Sequence, residues 1–162
     1  MNRRTLTTMA LLCLAVLLAM ALPQVGFAQS NLVGTTWKLN LAKSKFSPGP
    51  PPRSQTLSYQ AEGQGMRGTN EGIDAQGNPT KAVLVIVTDG KSYPVTGVPD
   101  FDAASYKQVN DSTMEGTRTK AGRMVQTLTR VLSADGKTLT FTTTGVNANG
   151  QQINAVAVYD KQ

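Results

Sequence analysis

The chain has 162 residues, with 16 Lys and Arg against 10 Asp and Glu and no histidine, for a formal charge of +6. Without His, and with its one cysteine (Cys13) inside an N-terminal apolar run, it cannot build a Ser-His-Asp or Cys-His centre or the usual zinc and copper sites. Its basic residues stand singly, without interleaved aromatics, which argues against nucleic acid as a partner.

The N-terminus reads as a secretory signal peptide over residues 1–28. Arg3 and Arg4 precede an apolar run from Met9 to Leu22, Pro23 breaks that run, and Gly26-Phe27-Ala28 is a small-x-small cleavage site. The run is short for a bilayer crossing, so no membrane span is expected once it is removed. One domain is expected over 29–162, carrying +4 once Arg3 and Arg4 are set aside.

Gly34–Leu39 predicts the first strand, and Asn40 caps a helical turn reaching towards Phe46. Ser47-Pro48-Gly49-Pro50-Pro51-Pro52 can be neither helix nor central strand. It reads as a rigid cover over a barrel end or sheet edge, or as a motif for a proline-binding partner. Strands follow at Gln55–Ala61 and Gly65–Ile73, joined through Glu62-Gly63, and then a turn over Asp74–Pro79. Lys81–Thr88 carries six apolar residues in a row, which predicts a strand covered on both faces or lying centrally. Asp89-Gly90 is expected to turn it into Lys91–Thr96, and Gly97–Asp102 is a longer loop. Ser105–Val109 and Thr113–Thr119 flank Asn110-Asp111. The last three strands, Arg123–Ser133, Lys137–Val146 and Gln151–Asp160, are joined by Ala134-Asp135-Gly136 and Asn147-Ala148-Asn149-Gly150. The fold class is therefore all-β: an antiparallel up-and-down meander of about eight to ten strands, closed into a barrel or strongly curved.

No catalytic constellation emerges. Asp74, Asp89, Asp111 and Asp135 fall in turns, which aspartate stabilises by itself. Asp100 and Asp102 are the one close acidic pair, and they read as turn-formers rather than calcium ligands. No metal or cofactor is expected, and no enzymatic activity. A cavity remains. Met124, Gln126, Leu128 and Arg130 alternate onto one face of their strand, while Phe141 and Tyr159 fall on the apolar faces of the two strands after it. These residues are either a cavity wall whose polar groups fix a ligand's head, or a packed core in which Arg130 snorkels outward or stacks on Trp37. Trp37 stands two residues before Leu39 and is expected on the buried face near a closed barrel end, as a further wall residue, with Arg130 beside its ring.

Gly34-Thr35-Thr36-Trp37, with Arg130 late in the chain, resembles the lipocalin and fatty-acid-binding superfamily, in which a Gly-x-Trp strand closes one barrel end and a basic residue packs over the Trp. The resemblance implies a lipocalin-like barrel. Asn40–Arg53 is too short and proline-rich for the helical lid of the fatty-acid-binding branch. Trp37-Lys38-Leu39-Asn40, Lys43-Ser44-Lys45-Phe46, Pro48-Gly49-Pro50-Pro51-Pro52, Tyr93-Pro94-Val95-Thr96-Gly97 and Asp135-Gly136-Lys137-Thr138-Leu139-Thr140 are similar to a family of small, uncharacterised exported bacterial β-proteins. That similarity implies a periplasmic or secreted location and carries no activity with it. The expectation is non-enzymatic binding of a small apolar or amphipathic ligand in the cell envelope. An exported structural or protein-interaction β-domain, inhibitor-like and with a filled core, is the alternative.

Overall fold

Alternation decides the architecture. Along Arg123–Leu132, Gln126, Leu128 and Arg130 are buried while their neighbours face outward or half outward, the signature of a strand with one covered face. The computed structural model describes residues 31–162, so the signal segment expected over 1–28 lies outside the described residues. Ten strands form: β1 (Thr36–Leu39), β2 (Ser54–Glu62), β3 (Gly65–Ile73), β4 (Pro79–Ile86), β5 (Asp89–Thr96), β6 (Ala103–Gln108), β7 (Thr113–Lys120), β8 (Arg123–Leu132), β9 (Thr138–Val146) and β10 (Gln152–Lys161). Each pairs antiparallel with its neighbours in the chain, and β1 pairs with both β2 and β10, so the meander closes into a barrel. Closure removes the free edge strands of an open sheet.

The expected helical turn is a short 3-10 turn over Leu41–Lys43, capped by the Asn40 side chain, which accepts from the Lys43 amide. The proline-bearing segment then runs along β10. Lys45 exchanges both backbone hydrogen bonds with Val156, and Ser47 O accepts from the Asn154 amide. It guards the stretch of β10 that the four-residue β1 leaves uncovered.

Two expectations are corrected. β4 is not covered on both faces: Ala82–Val85 are half-buried and only Ile86 is buried. A meander bends one sheet around one core, so the outer face stays in water, and β-branched residues fill it by strand preference. Asp89-Gly90 is the centre of the β4–β5 pairing, Val83 with Thr96 and Leu84 with Val95, and Gly90 has the expected positive φ, but the turn is not a tight hairpin. The two strands part after Leu84, Val87-Thr88 lie between them, and Asp89-Gly90 already belongs to β5, beside a register shift between Asp89 and Ser92.

In a meander, alternate turns lie at opposite ends. Leu32, Trp37, Met66 and Leu139, all almost fully buried, pack the end where β10 finishes. Among the described residues, the β3–β4, β5–β6, β7–β8 and β9–β10 turns and the proline-bearing segment ring the other end.

Candidate ligand cavity

Between the packed end and the opposite rim lies a cavity of about 420 Å³, within the range of small-ligand sites. The barrel is thus filled at one end and hollow at the other. Gln126, Leu128, Arg130, Phe141 and Tyr159 all line the cavity. Phe141 and Tyr159 meet edge-to-face at 5.5 Å, and the Tyr159 hydroxyl donates to Gln55 Oε1 at 2.7 Å.

Two predicted wall residues lie elsewhere. Met124 is 67% exposed. Arg118 pairs with Gln126 and Thr119 with Met124, so Val125 is an extra residue on β8. This bulge shifts the alternation by one, turning Val125 towards the core and Met124 outward. Trp37 is fully buried but belongs to the packed end, outside the cavity lining. Its indole Nε1 donates to Thr35 Oγ1 at 2.7 Å, and the cation over its ring is Lys161, 5.9 Å from the centroid, rather than Arg130.

Arg130 is committed to the cavity. It is 2% exposed and lies against the Tyr59 hydroxyl, with Tyr106 close by. Its Nε and Nη1 are buried without a protein partner. Burial pulls the Arg130 guanidinium below its ordinary pKa, and the two phenols push it partly back. The same burial raises Tyr59 and Tyr106, so both phenols stay neutral donors at physiological pH.

Sequence reasoning missed a second guanidinium in the cavity wall, that of the half-buried Arg118. Its Nη1 donates to Gln126 Oε1 at 2.9 Å, and Gln126 Nε2 donates to Val146 O at 3.1 Å. It stacks over Phe101 at 4.5 Å, with Tyr106 and Asp100 nearby. The signal was present, because Arg118 shares inward parity with the buried Met114 and Gly116 on β7.

Both phenols are set by the strand beside them. Tyr59 pairs with Gly68 and Tyr106 with Gly116. A Cβ on Gly116 would come within 2.8 Å of the Tyr106 ring, and one on Gly68 within 3.3 Å of the Tyr59 ring. Each ring therefore packs close against a glycine, which leaves room for it beside the arginines while both phenols still line the cavity.

The lining is unbalanced in charge. It holds Arg118, Arg130 and Lys81 against a single acid, Asp100. Lys81 is paired on the outer rim with Glu71 at 2.7 Å, and Asp100 Oδ1 accepts from the Ala148 amide at 2.9 Å. Arg130 is left with neutral partners only.

No family model and no curated protein matches the chain. Among solved structures, zebrafish ileal bile acid-binding protein complexed with cholic acid matches at 12% identity with a TM-score of 0.42, over 78% of this chain and 96% of that one. The likeness is one of outline. Among the described residues, no helix is long and apolar enough to cross a membrane.

Proposed function

We propose that this barrel binds a small amphipathic molecule with an anionic head, without catalysing a reaction on it, in the bacterial cell envelope. The observation that carries this reading is Arg130: a buried cation with two unpartnered nitrogens, no acid beside it, and an otherwise largely apolar cavity around it. A buried charge without a counter-charge is costly, and a carboxylate or similar anion would supply both the missing charge and the missing acceptors. Gln126, Tyr59 and Tyr106 add neutral hydrogen-bonding groups, while Leu128, Phe141 and Tyr159 offer apolar surface to the tail. The envelope location rests on the signal-like N-terminus and on the resemblance to small exported bacterial proteins.

Competition tests the reading. The purified protein is loaded with the fluorescent sulfonate 1-anilinonaphthalene-8-sulfonate and titrated with decanoate or with decanol, which share a tail and differ in charge. The acid should displace the probe at least tenfold more effectively than the alcohol. Equal displacement, or failure of the probe and both competitors to bind, overturns the proposal.

A further inference from the structure

The mouth of the cavity is crossed by one side chain. The Asp100–Ala148 hydrogen bond joins the β5–β6 loop to the β9–β10 turn. These connections stand four strands apart in a ring of ten, so a bond between them spans the opening. Five consecutive loop residues, Gly97 to Phe101, line the cavity, and Phe101 is buried beneath the Arg118 guanidinium.

The two ends of the loop are fixed. Gly97 has φ +81° and sits so close to β4 that a Cβ would fall 1.9 Å from the Lys81 carbonyl oxygen. At the other end the Asp102 amide donates to Thr119 O at 3.0 Å, its carbonyl accepts from the Val95 amide at 2.8 Å, and its carboxylate accepts from the Ala121 amide at 2.9 Å. Between these anchors, two contacts hold the span down: Asp100 to Ala148, and Phe101 to Arg118.

We infer that residues 97–102 form a lid over the cavity and that Asp100 is its positioning residue, so that ligand exchanges only when the Asp100–Ala148 bond opens. The inference rests on the reading of the cavity as a ligand site. It also divides the labour of the arginines. Arg130 lies four residues further along β8 than Gln126, roughly 13 Å along the strand and about 10 Å deeper once barrel tilt is allowed for, and its free nitrogens take the head. Arg118, beside Gln126 and nearer the rim, holds the lid through Phe101.

Stopped-flow binding of the same sulfonate probe separates the possibilities. Asp100→Ala should raise the association and dissociation rate constants together, each by about five- to tenfold for loss of one exposed hydrogen bond, with Kd within about twofold of that of Asp100→Asn, which removes the same charge. Asp100→Asn, which keeps an acceptor oxygen, should recover most of the wild-type rates. A rise in dissociation alone means that Asp100 touches the ligand and overturns the lid, as does no change in either rate. Amide hydrogen exchange judges the latch without ligand. The Ala148 amide, which donates to Asp100 in the wild type, should exchange faster in Asp100→Ala, and equal exchange overturns the latch. Should the wild-type protein not bind the probe at all, the ligand reading falls, and this exchange comparison still decides the latch.

Discussion

Replacing Arg130 by methionine should make the protein more stable and less able to bind anions. Arg130 keeps two nitrogens buried without partners, and each unsatisfied buried polar group costs about 1–3 kcal/mol. Methionine removes that cost and fills similar space. The change also strips the Tyr59 hydroxyl of its arginine partner, which returns about 1–3 kcal/mol of the gain. A net stabilisation of about 1–3 kcal/mol remains, in line with the behaviour of buried charges exchanged for apolar groups. For a domain of this size, each kcal/mol corresponds to a Tm rise of about 3–4 °C. Urea denaturation followed by tyrosine and tryptophan fluorescence would show the midpoint moving up with an unchanged slope. Affinity for the sulfonate probe should fall by at least tenfold in the same variant. If Arg130→Met is less stable than wild type by 1 kcal/mol or more at unchanged slope, the guanidinium is a structural brace and the reasoning fails.

Trp37→Ala should destabilise by about 3–5 kcal/mol, as truncation of a fully buried aromatic does. The native protein should emit blue-shifted fluorescence that iodide does not quench, and a red, freely quenched spectrum would refute the burial. Stability should be level between about pH 5 and 9, because no histidine titrates there. Asp74, Asp89, Asp135, Asp160 and Glu62 are held below ordinary values by hydrogen bonds, from Asn78, Lys91, Ser133, Asn40 and Arg67 respectively. What they contribute is therefore present above about pH 4 and lost as pH falls below it. Burial raises Tyr59, Tyr106 and Tyr159, so their contribution is present below about pH 10 and lost as pH rises past it. Thermal unfolding across pH checks both limbs, and a step between pH 5.5 and 7.5 would contradict them.

Strand count, antiparallel order and the buried parity of Gln126, Leu128 and Arg130 were legible, because period-two alternation and Asp-Gly or Asn-Gly turns are local signals. Met124 was misplaced because a bulge of one residue, at Val125, leaves no mark in composition and reverses everything before it on the strand. Arg118 went unnoticed because a lone arginine among threonines on β7 reads as solvent-facing until its parity with Met114 is counted. The Trp37–Arg130 contact failed for a different reason. Which cation reaches a ring depends on the register between strands far apart in the chain. That register sets Trp37 opposite Lys161 and Arg130 opposite Met114 and Phe141.

The seam between β1 and β10 is where the first and last strands of the described residues meet, and it shapes how the protein must assemble. Every other strand pair joins sequence neighbours, so hairpins can zip early and independently. The seam brings Trp37 beside Lys161 and lets the Gln162 amide donate to Thr36 O at 2.9 Å. Closing a loop of that length from an open chain costs about 4 kcal/mol in entropy, which a pre-curved sheet has already largely overcome. Ring closure is therefore the natural last step, and Asp160 is its clasp, accepting from Asn40 Nδ2 at 2.6 Å and from Lys43 Nζ at 3.1 Å. Because the described N-terminal strand and the C-terminus lie side by side, a short linker could splice them and the chain could be opened instead at an exposed hairpin. Such a circular permutant would turn the seam into one more local hairpin, while leaving cavity and lid in place.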